Sequence, residues 1–236
     1  MKLPQIRRRE LSSLSDWQDL PPILARVLAG RGIQRPDEVP LTLDQLPSPA
    51  LMPGLDKAVA LLMEARRQDW KILVIGDYDA DGATATALMV RGLSLLGLQT
   101  PGFLVPDRFE YGYGLSPEIV ELARREANPD LIITVDNGIA SLDGVAAARA
   151  AGIKVLITDH HLPGDALPQA DAIVNPRLDP ASPFLNLAGV GVAFYLILAL
   201  RGALRDADLL PANANPAALL DLVALGTVAD VVVLDR

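Results

Sequence analysis

Hydrophobic positions along this chain change their period again and again between residue 55 and the end. The stretch LDKAVALLMEARRQ (55–68) repeats its apolar residues at helical spacing, and KILVIG (71–76) follows as a short apolar, β-branched run suited to a buried parallel strand. The alternation continues: ATATALMVRGLSLLG (83–97) reads as helix and GFLV (102–105) as strand. SPEIVELARRE (116–126) reads as helix with Ser116 as cap and Pro117 at its first position, and DLIITV (130–135) as strand. SLDGVAAARAAG (141–152) predicts a capped helix closed by Gly152, KVLIT (154–158) a strand and DAIVN (171–175) a further strand. AGVGVAFYLILAL (188–200) and PAALLDLVALGTVADVVVL (216–234) predict two apolar helices, the second running into a buried extended tail. Strands separated by single helices imply an α/β fold, with a doubly wound, mostly parallel sheet flanked by helices.

The first 53 residues follow another pattern. Prolines at 21, 22, 36, 40, 47, 49 and 53 interrupt short amphipathic stretches such as Ile23 to Leu28, which predicts a helical, proline-rich arm. The domain division expected is therefore 1–53 for the arm and 54–236 for the α/β body. Arg7-Arg8-Arg9 in the arm could touch a phosphate backbone, although three arginines near a terminus more often form a solvated end.

Composition narrows the functions available. Half of the 236 residues are hydrophobic and 21% are charged, as suits globular domains. There is no cysteine, which excludes disulfide frameworks, thiolate-bound zinc, iron–sulfur clusters and thiol nucleophiles. No apolar run reaches the ~18–20 residues of a membrane span, and the basic start is not followed by a long apolar core, so a cytoplasmic protein is expected. The formal charge of -8 disfavours non-specific contact with a phosphate backbone unless cations or another domain offset it.

Candidate chemistry collects where strands end. KILVIG runs into Asp77-Tyr78-Asp79-Ala80-Asp81-Gly82, DLIITV into Asp136-Asn137-Gly138, and KVLIT into Asp159-His160-His161, so all three endings share the carboxyl edge of the sheet. Two carboxylates about 4–5 Å apart repel by roughly 3–4 kcal/mol at an effective dielectric near 20, and a divalent cation is the economical compensation. Oxygen ligands with one or two imidazoles suit manganese or magnesium, with zinc, cobalt or iron allowed by geometry. Taken singly, Asp136-Asn137-Gly138 also reads as a common turn. An EF-hand is excluded because its twelfth position would be Leu88 and a strand precedes the loop; a phosphate-binding Gly-Lys-Ser/Thr loop is lacking. The two histidines of the chain are adjacent and sit at a strand end, which points to a metal or phosphate role.

Asp79-Ala80-Asp81-Gly82, Asp136-Asn137-Gly138, Asp159-His160-His161 and the closing GTVAD (226–230) resemble the four ordered motifs of the DHH phosphoesterase superfamily. VIGDYDADGATATALM, the loop Pro106 to Leu115, LAGVGVAF and DLVALGTVADVV are most similar to its branch of single-stranded-DNA-specific 5′ to 3′ exonucleases, with Val233 standing where a proline is usual. The resemblance implies two Mn2+ or Mg2+ ions. Asp79 and Asp136, helped by Asp77, would hold one, and Asp81, Asp136, His160 and Asp221 the other. Asp136 and His160 would be catalytic through the metals, and His161 by contacting phosphate oxygens. Asp159 would orient a histidine, Asp230 would be a further ligand or a helix-end support ranked below Asp221, and Asn137 would be supporting. The Gly82 amide and Arg108 are further candidates for phosphate contact.

The same resemblance implies single-stranded DNA as substrate in DNA repair and recombination, and single-strand-binding protein and a recombination helicase as partners. It also implies a second, substrate-holding domain that lies outside this chain. Other readings of the motifs are a phosphodiesterase of short oligonucleotides or cyclic dinucleotides, and a non-catalytic replication scaffold. Retention of Asp79, Asp81, Asp136 and His160 disfavours the scaffold.

Overall fold

The computed structural model describes residues 20–35, 38 and 43–234. Arg7, Arg8 and Arg9 lie outside them. The chain divides into two compact units, residues 1–46 with 236, and residues 47–235. In the first unit, helix α1 (Pro22–Gly30) begins with a proline whose missing N–H costs nothing at that position, and Ala25 and Ala29, one turn apart, are its buried residues. The second unit begins a few residues before the expected boundary, and Met52 already belongs to its core.

A five-stranded, wholly parallel sheet forms the second unit. Its strands are β1 (Ile72–Ile75), β2 (Gly102–Leu104), β3 (Leu131–Val135), β4 (Lys154–Thr158) and β5 (Ala172–Val174), in the order β2-β1-β3-β4-β5. Alternation along the central strands sends side chains to two separate cores. Ile72 and Val74 of β1, Leu131, Ile133 and Val135 of β3 and Leu156 of β4 join one core with α2 (Leu55–Arg67), α3 (Ala80–Leu95), α7 (Gly189–Asp206) and α8 (Leu220–Ala229). Leu73, Ile75, Ile132, Val155 and Ile157 face the other core with α5 (Pro117–Glu126) and α6 (Leu142–Ala150). Strands buried on both faces explain the near-continuous apolar runs, and each fully buried Leu or Ile contributes roughly 1.5–3 kcal/mol.

The strand order positions the site. From β1 the chain moves to β2 on one side, then crosses to β3 on the other, so the carboxyl ends of β1 and β3 open a crevice at the switch point. Asp77 follows the first of these strands and Asp136 the second.

Some local expectations are corrected. Ser141 stands at the start of α6 but does not cap it, because its Oγ accepts the Leu115 N–H at 2.9 Å and so ties the α5 approach to α6. A one-turn helix, α4 (Arg108–Tyr111), too short to show a hydrophobic period, is capped by Asp107, whose Oδ1 accepts the Phe109 N–H at 2.8 Å. The apolar tail after α8 is not a buried extended segment. Val232 packs against the core, but Val231, Val233 and Leu234 are exposed, and among the described residues no strand pairs with them. Among the described residues no helix is long and apolar enough to cross a membrane.

Candidate metal centre

Each strand end holds its acidic residues by a different local device. After β1, Asp79 caps α3, its Oδ1 accepting the Gly82 N–H at 2.9 Å. The Gly82 amide, expected as a phosphate contact, is engaged here within its own helix start. Glycine is required there by proximity, since a Cβ would stand 2.6 Å from the Asp77 carbonyl oxygen. Asp77 accepts the Tyr78 N–H at 2.8 Å and pairs with Arg108, whose Nη2 lies 2.6 Å from its Oδ2. Arg108 thus neutralises a carboxylate of the site, and this pairing, largest among several acidic neighbours, raises its already high pKa.

After β3 the backbone turns sharply. Asp136 has φ +61°, a left-handed conformation that aspartate tolerates better than most residues, and Gly138 has φ +112°. Asn137 secures this turn: its Nδ2 donates to the Ile75 carbonyl at 3.2 Å and the Val135 carbonyl at 2.9 Å, and Thr134 Oγ1 donates to the Asn137 carbonyl at 2.8 Å. Asp136 N–H donates to the Thr158 carbonyl at 3.0 Å, so the turn is also stitched to β4. Its side chain is almost wholly buried, yet among the described residues Oδ1 has no hydrogen-bond partner.

After β4, Asp159 is the anchor. Its Oδ1 accepts the His160 N–H at 2.8 Å, the His161 N–H at 3.1 Å and sits 2.7 Å from His161 Nδ1, while Oδ2 accepts the Ile139 N–H at 2.9 Å. Burial alone would disfavour its charge, but the bonds from His161 and Ile139 prevail and hold the carboxyl below the ordinary aspartate range. In return Asp159 holds the His161 imidazole up at about 9, that is, protonated at neutral pH. The Tyr113 hydroxyl donates to the Asp136 carbonyl at 3.0 Å and lies 3.3 Å from His161 Nδ1. His161 is half-exposed and borders a groove of about 410 Å³ lined also by Tyr113, Ser116 and Ser141.

The fourth contribution comes from helices. Asp81, on the first turn of α3, accepts the Gly189 N–H on Oδ2 at 2.6 Å and the Val190 N–H on Oδ1 at 2.9 Å, so it caps α7 from another element. A Cβ on Gly189 would stand 2.5 Å from Asp136 Oδ1, and one on Gly226 2.3 Å from Thr84 Oγ1 and 2.9 Å from Asp81 Oδ1. These two glycines let α7 and α8 approach the carboxylates. Asp230, at the end of α8, lies with its Oδ2 3.8 Å from His160 Nε2. Asp221 does not join the site. It is exposed on the first turn of α8, its Oδ1 accepting the Leu222 N–H at 2.9 Å, and nine residues of helix, about 13 Å of rise, separate it from Asp230. The expected ranking of the two aspartates is therefore reversed.

Three overlapping groups result, each with ligand atoms within 4.8 Å of one another: Asp77, Asp79 and Asp136; Asp81, His160 and Asp230; and Asp136, His160 and His161. Asp136 is common to two of them. His160 Nε2 is 3.2 Å from Asp136 Oδ1 and 3.9 Å from Asp81 Oδ2, but these approaches lack hydrogen-bond geometry, and both ring nitrogens are buried without a hydrogen-bond partner. Burial, opposed by His160 and reinforced by the Asp81 charge, pushes the Asp136 carboxyl up to about 7. Burial likewise raises Asp81 despite the two amides, and Asp136 raises His160 against the effect of burial. Buried carboxylates driven toward protonation, beside an imidazole with unused nitrogens, are the donor set that a hard or borderline divalent cation satisfies. The residues fit manganese or magnesium.

Several supporting residues carried no clear signal in the sequence. Arg177 Nε donates to the His160 carbonyl at 2.7 Å and Asn175 Nδ2 to the His161 carbonyl at 2.9 Å, fixing the histidine backbone from the far side of β5. Gly189 sat within an apolar run that read only as helix; a glycine pair opening such a helix was the available hint.

Residues 71–227 match the family model described as DHH family, N-terminal domain. The exonuclease RecJ of Salmonella typhimurium, named single-stranded-DNA-specific, is 52% identical over 237 residues, covering 98% of this chain and 41% of that protein. A crystal structure of exonuclease RecJ bound to manganese superimposes with a TM-score of 0.69 at 43% identity, over 82% of this chain and 46% of that one. RecJ of Thermus thermophilus in complex with Mn2+ gives 0.70 at 38% identity, over 94% and 31%. The chain thus spans about two fifths of the length of the first of these relatives. With its parallel sheet, its carboxylate-and-histidine edge and these matches, the chain belongs to the DHH family.

Proposed function

We propose that this chain carries the catalytic machinery of a metal-dependent exonuclease that removes nucleotides from the 5′ end of single-stranded DNA, in cytoplasmic DNA repair and recombination. The observation that carries the reading is Asp136: one buried carboxylate, with an oxygen that no described residue hydrogen-bonds, shared between two groups of potential ligands. Two cations are proposed, one at Asp77, Asp79 and Asp136, the other at Asp81, Asp136, His160 and Asp230. A bound pair would supply Lewis-acid polarisation of the phosphate and acidification of the attacking water.

The chain's own groups do the rest. Asp159 takes the Nδ1 proton side of His161, which leaves Nε2 to donate to a phosphate oxygen and stabilise charge that grows on it. Tyr113, anchored on the Asp136 carbonyl, limits how far that ring can rotate. Arg108 holds Asp77 toward the site and places a guanidinium beside the path of a phosphate backbone. Relatives named as single-stranded-DNA-specific exonucleases support the substrate class. We assign the expected substrate-holding domain to the part of those relatives that this chain does not match, and single-strand-binding protein and a recombination helicase as partners of the whole enzyme.

Digestion of single-stranded DNA labelled at either end tests the reading. Mononucleotides released from the 5′ end with Mn2+, abolished by EDTA and by Asp136→Ala, are expected. Release from the 3′ end, or digestion indifferent to Asp136→Ala, would contradict it.

A further inference from the structure

Phe109 is 99% exposed, although it stands next in sequence to an arginine bound into the metal centre. Helix α4 leaves it no freedom to hide. Asp107 caps the single turn, the Tyr111 N–H donates to the Asp107 carbonyl at 2.9 Å and the Gly112 N–H to the Arg108 carbonyl at 3.0 Å. With Arg108 turned to Asp77, Phe109 is held outward. Tyr78, also exposed, stands opposite, and the Arg108 guanidinium carbon lies 4.1 Å from its ring centroid. Between them lies a recess of about 300 Å³ lined by Tyr78, Val105, Pro106, Asp107, Arg108 and Phe109.

We propose that Phe109 and Tyr78 form a stacking platform for a nucleobase of single-stranded DNA at the rim of the metal centre. The proposal rests on the exonuclease reading and names how that site holds its substrate. Aromatic faces beside a guanidinium are the chemistry that stacks bases without regard to sequence, as an enzyme moving along any strand requires. The Arg108 guanidinium, 4.1 Å from the Tyr78 ring centroid and part of the same lining, puts a cation beside a base held there. A chain with net charge -8 gains little grip from general phosphate attraction, so stacking supplies what charge does not. An apolar protein segment fits less well, because Asp107 and Arg108 share the lining.

The test is equilibrium binding, by fluorescence anisotropy with Mn2+, of a phosphorothioate-linked oligodeoxythymidylate and of the same strand with abasic residues at its 5′ end. Phe109→Ala should weaken binding of the intact strand about tenfold, Phe109→Trp should restore it, and the abasic strand should bind wild type and Phe109→Ala equally. The platform is overturned if Phe109→Ala binds the intact strand as tightly as wild type, or if it loses the same factor on the abasic strand. In either case 5′ digestion by the wild type would leave the exonuclease reading standing. If the wild-type chain neither binds nor digests a single strand, that reading fails and the platform with it.

Discussion

Asp81 and Asp136 both approach Nε2 of His160, at 3.9 and 3.2 Å, yet the chain uses them differently. Asp81 has both oxygens occupied by the first amides of α7, whereas Asp136 has an oxygen with no partner and a backbone held at φ +61°. One carboxylate joins two helices and also lies in a group of potential ligands; the other is kept available. A metal site of this kind therefore divides its acids between those that assemble the fold and those reserved for the ion, and substitutions should separate the two.

The largest separation is expected at Asp136. Asp136→Ala should lower Mn2+-dependent digestion by more than about a hundredfold, beyond the loss of a supporting partner. Urea unfolding in EDTA should show little loss of stability, because Oδ1 surrenders no hydrogen bond and burial disfavours the charge, which offset the lost His160 attraction and the poorer fit of alanine to φ +61°. Asp81→Ala should behave oppositely in that assay, destabilising the metal-free chain by about 1.5–3 kcal/mol as the two α7 amides lose a charged acceptor. Equal unfolding midpoints for the two variants would dissolve the distinction.

Gly189→Ala sharpens it further. Its added methyl would meet Asp136 Oδ1 and Cβ at 2.5 and 2.7 Å, so α7 must shift, at a cost of roughly 1–3 kcal/mol together with weaker Mn2+ binding measured by calorimetry. The smallest effect lies farther along α7, at Tyr195, which packs edge-on against Phe184 with ring centroids 4.6 Å apart. Burial pushes its hydroxyl from the ordinary 10.0 up to about 12. Below pH 10 both folded and unfolded chains keep that proton and the contribution is complete; above it the unfolded chain releases the proton first, so stability falls as pH rises toward 12. Tyr195→Phe should remove that part of the fall between about pH 10 and 12, read from urea midpoints, and leave Asp81 and Asp136 unaffected.

Much of this was legible in the sequence because parallel strands buried on both faces write long apolar runs, and an acidic residue ending such a run marks the carboxyl edge. Asp77, Asp136 and Asp159 stood out for that reason, and the motifs around them carried the family. Helix ends were harder. Asp221 and Asp230 both belong to one apolar helix, and nothing in the period tells which end turns toward a crevice built by other elements. The Gly82 amide looked available because the cap that takes it, Asp79, also looked like a ligand; the structure uses one oxygen for the cap. Phe109 lies in the loop Pro106 to Leu115 that carries part of the resemblance, but a one-turn helix has no period to show that it faces outward. The apolar end after Asp230 reads as buried because consecutive valines suit a strand covered on both faces, but only Val232 finds the core.

The central claim is that Asp136 is shared by two cation positions, and a manganese titration of the chain at neutral pH, followed by electron paramagnetic resonance, tests it most directly. Two ions bound per wild-type chain, with both weakened by Asp136→Ala, is the expected result. A folded wild-type chain that binds no manganese, or an Asp136→Ala chain that binds two ions as tightly as wild type, would contradict it.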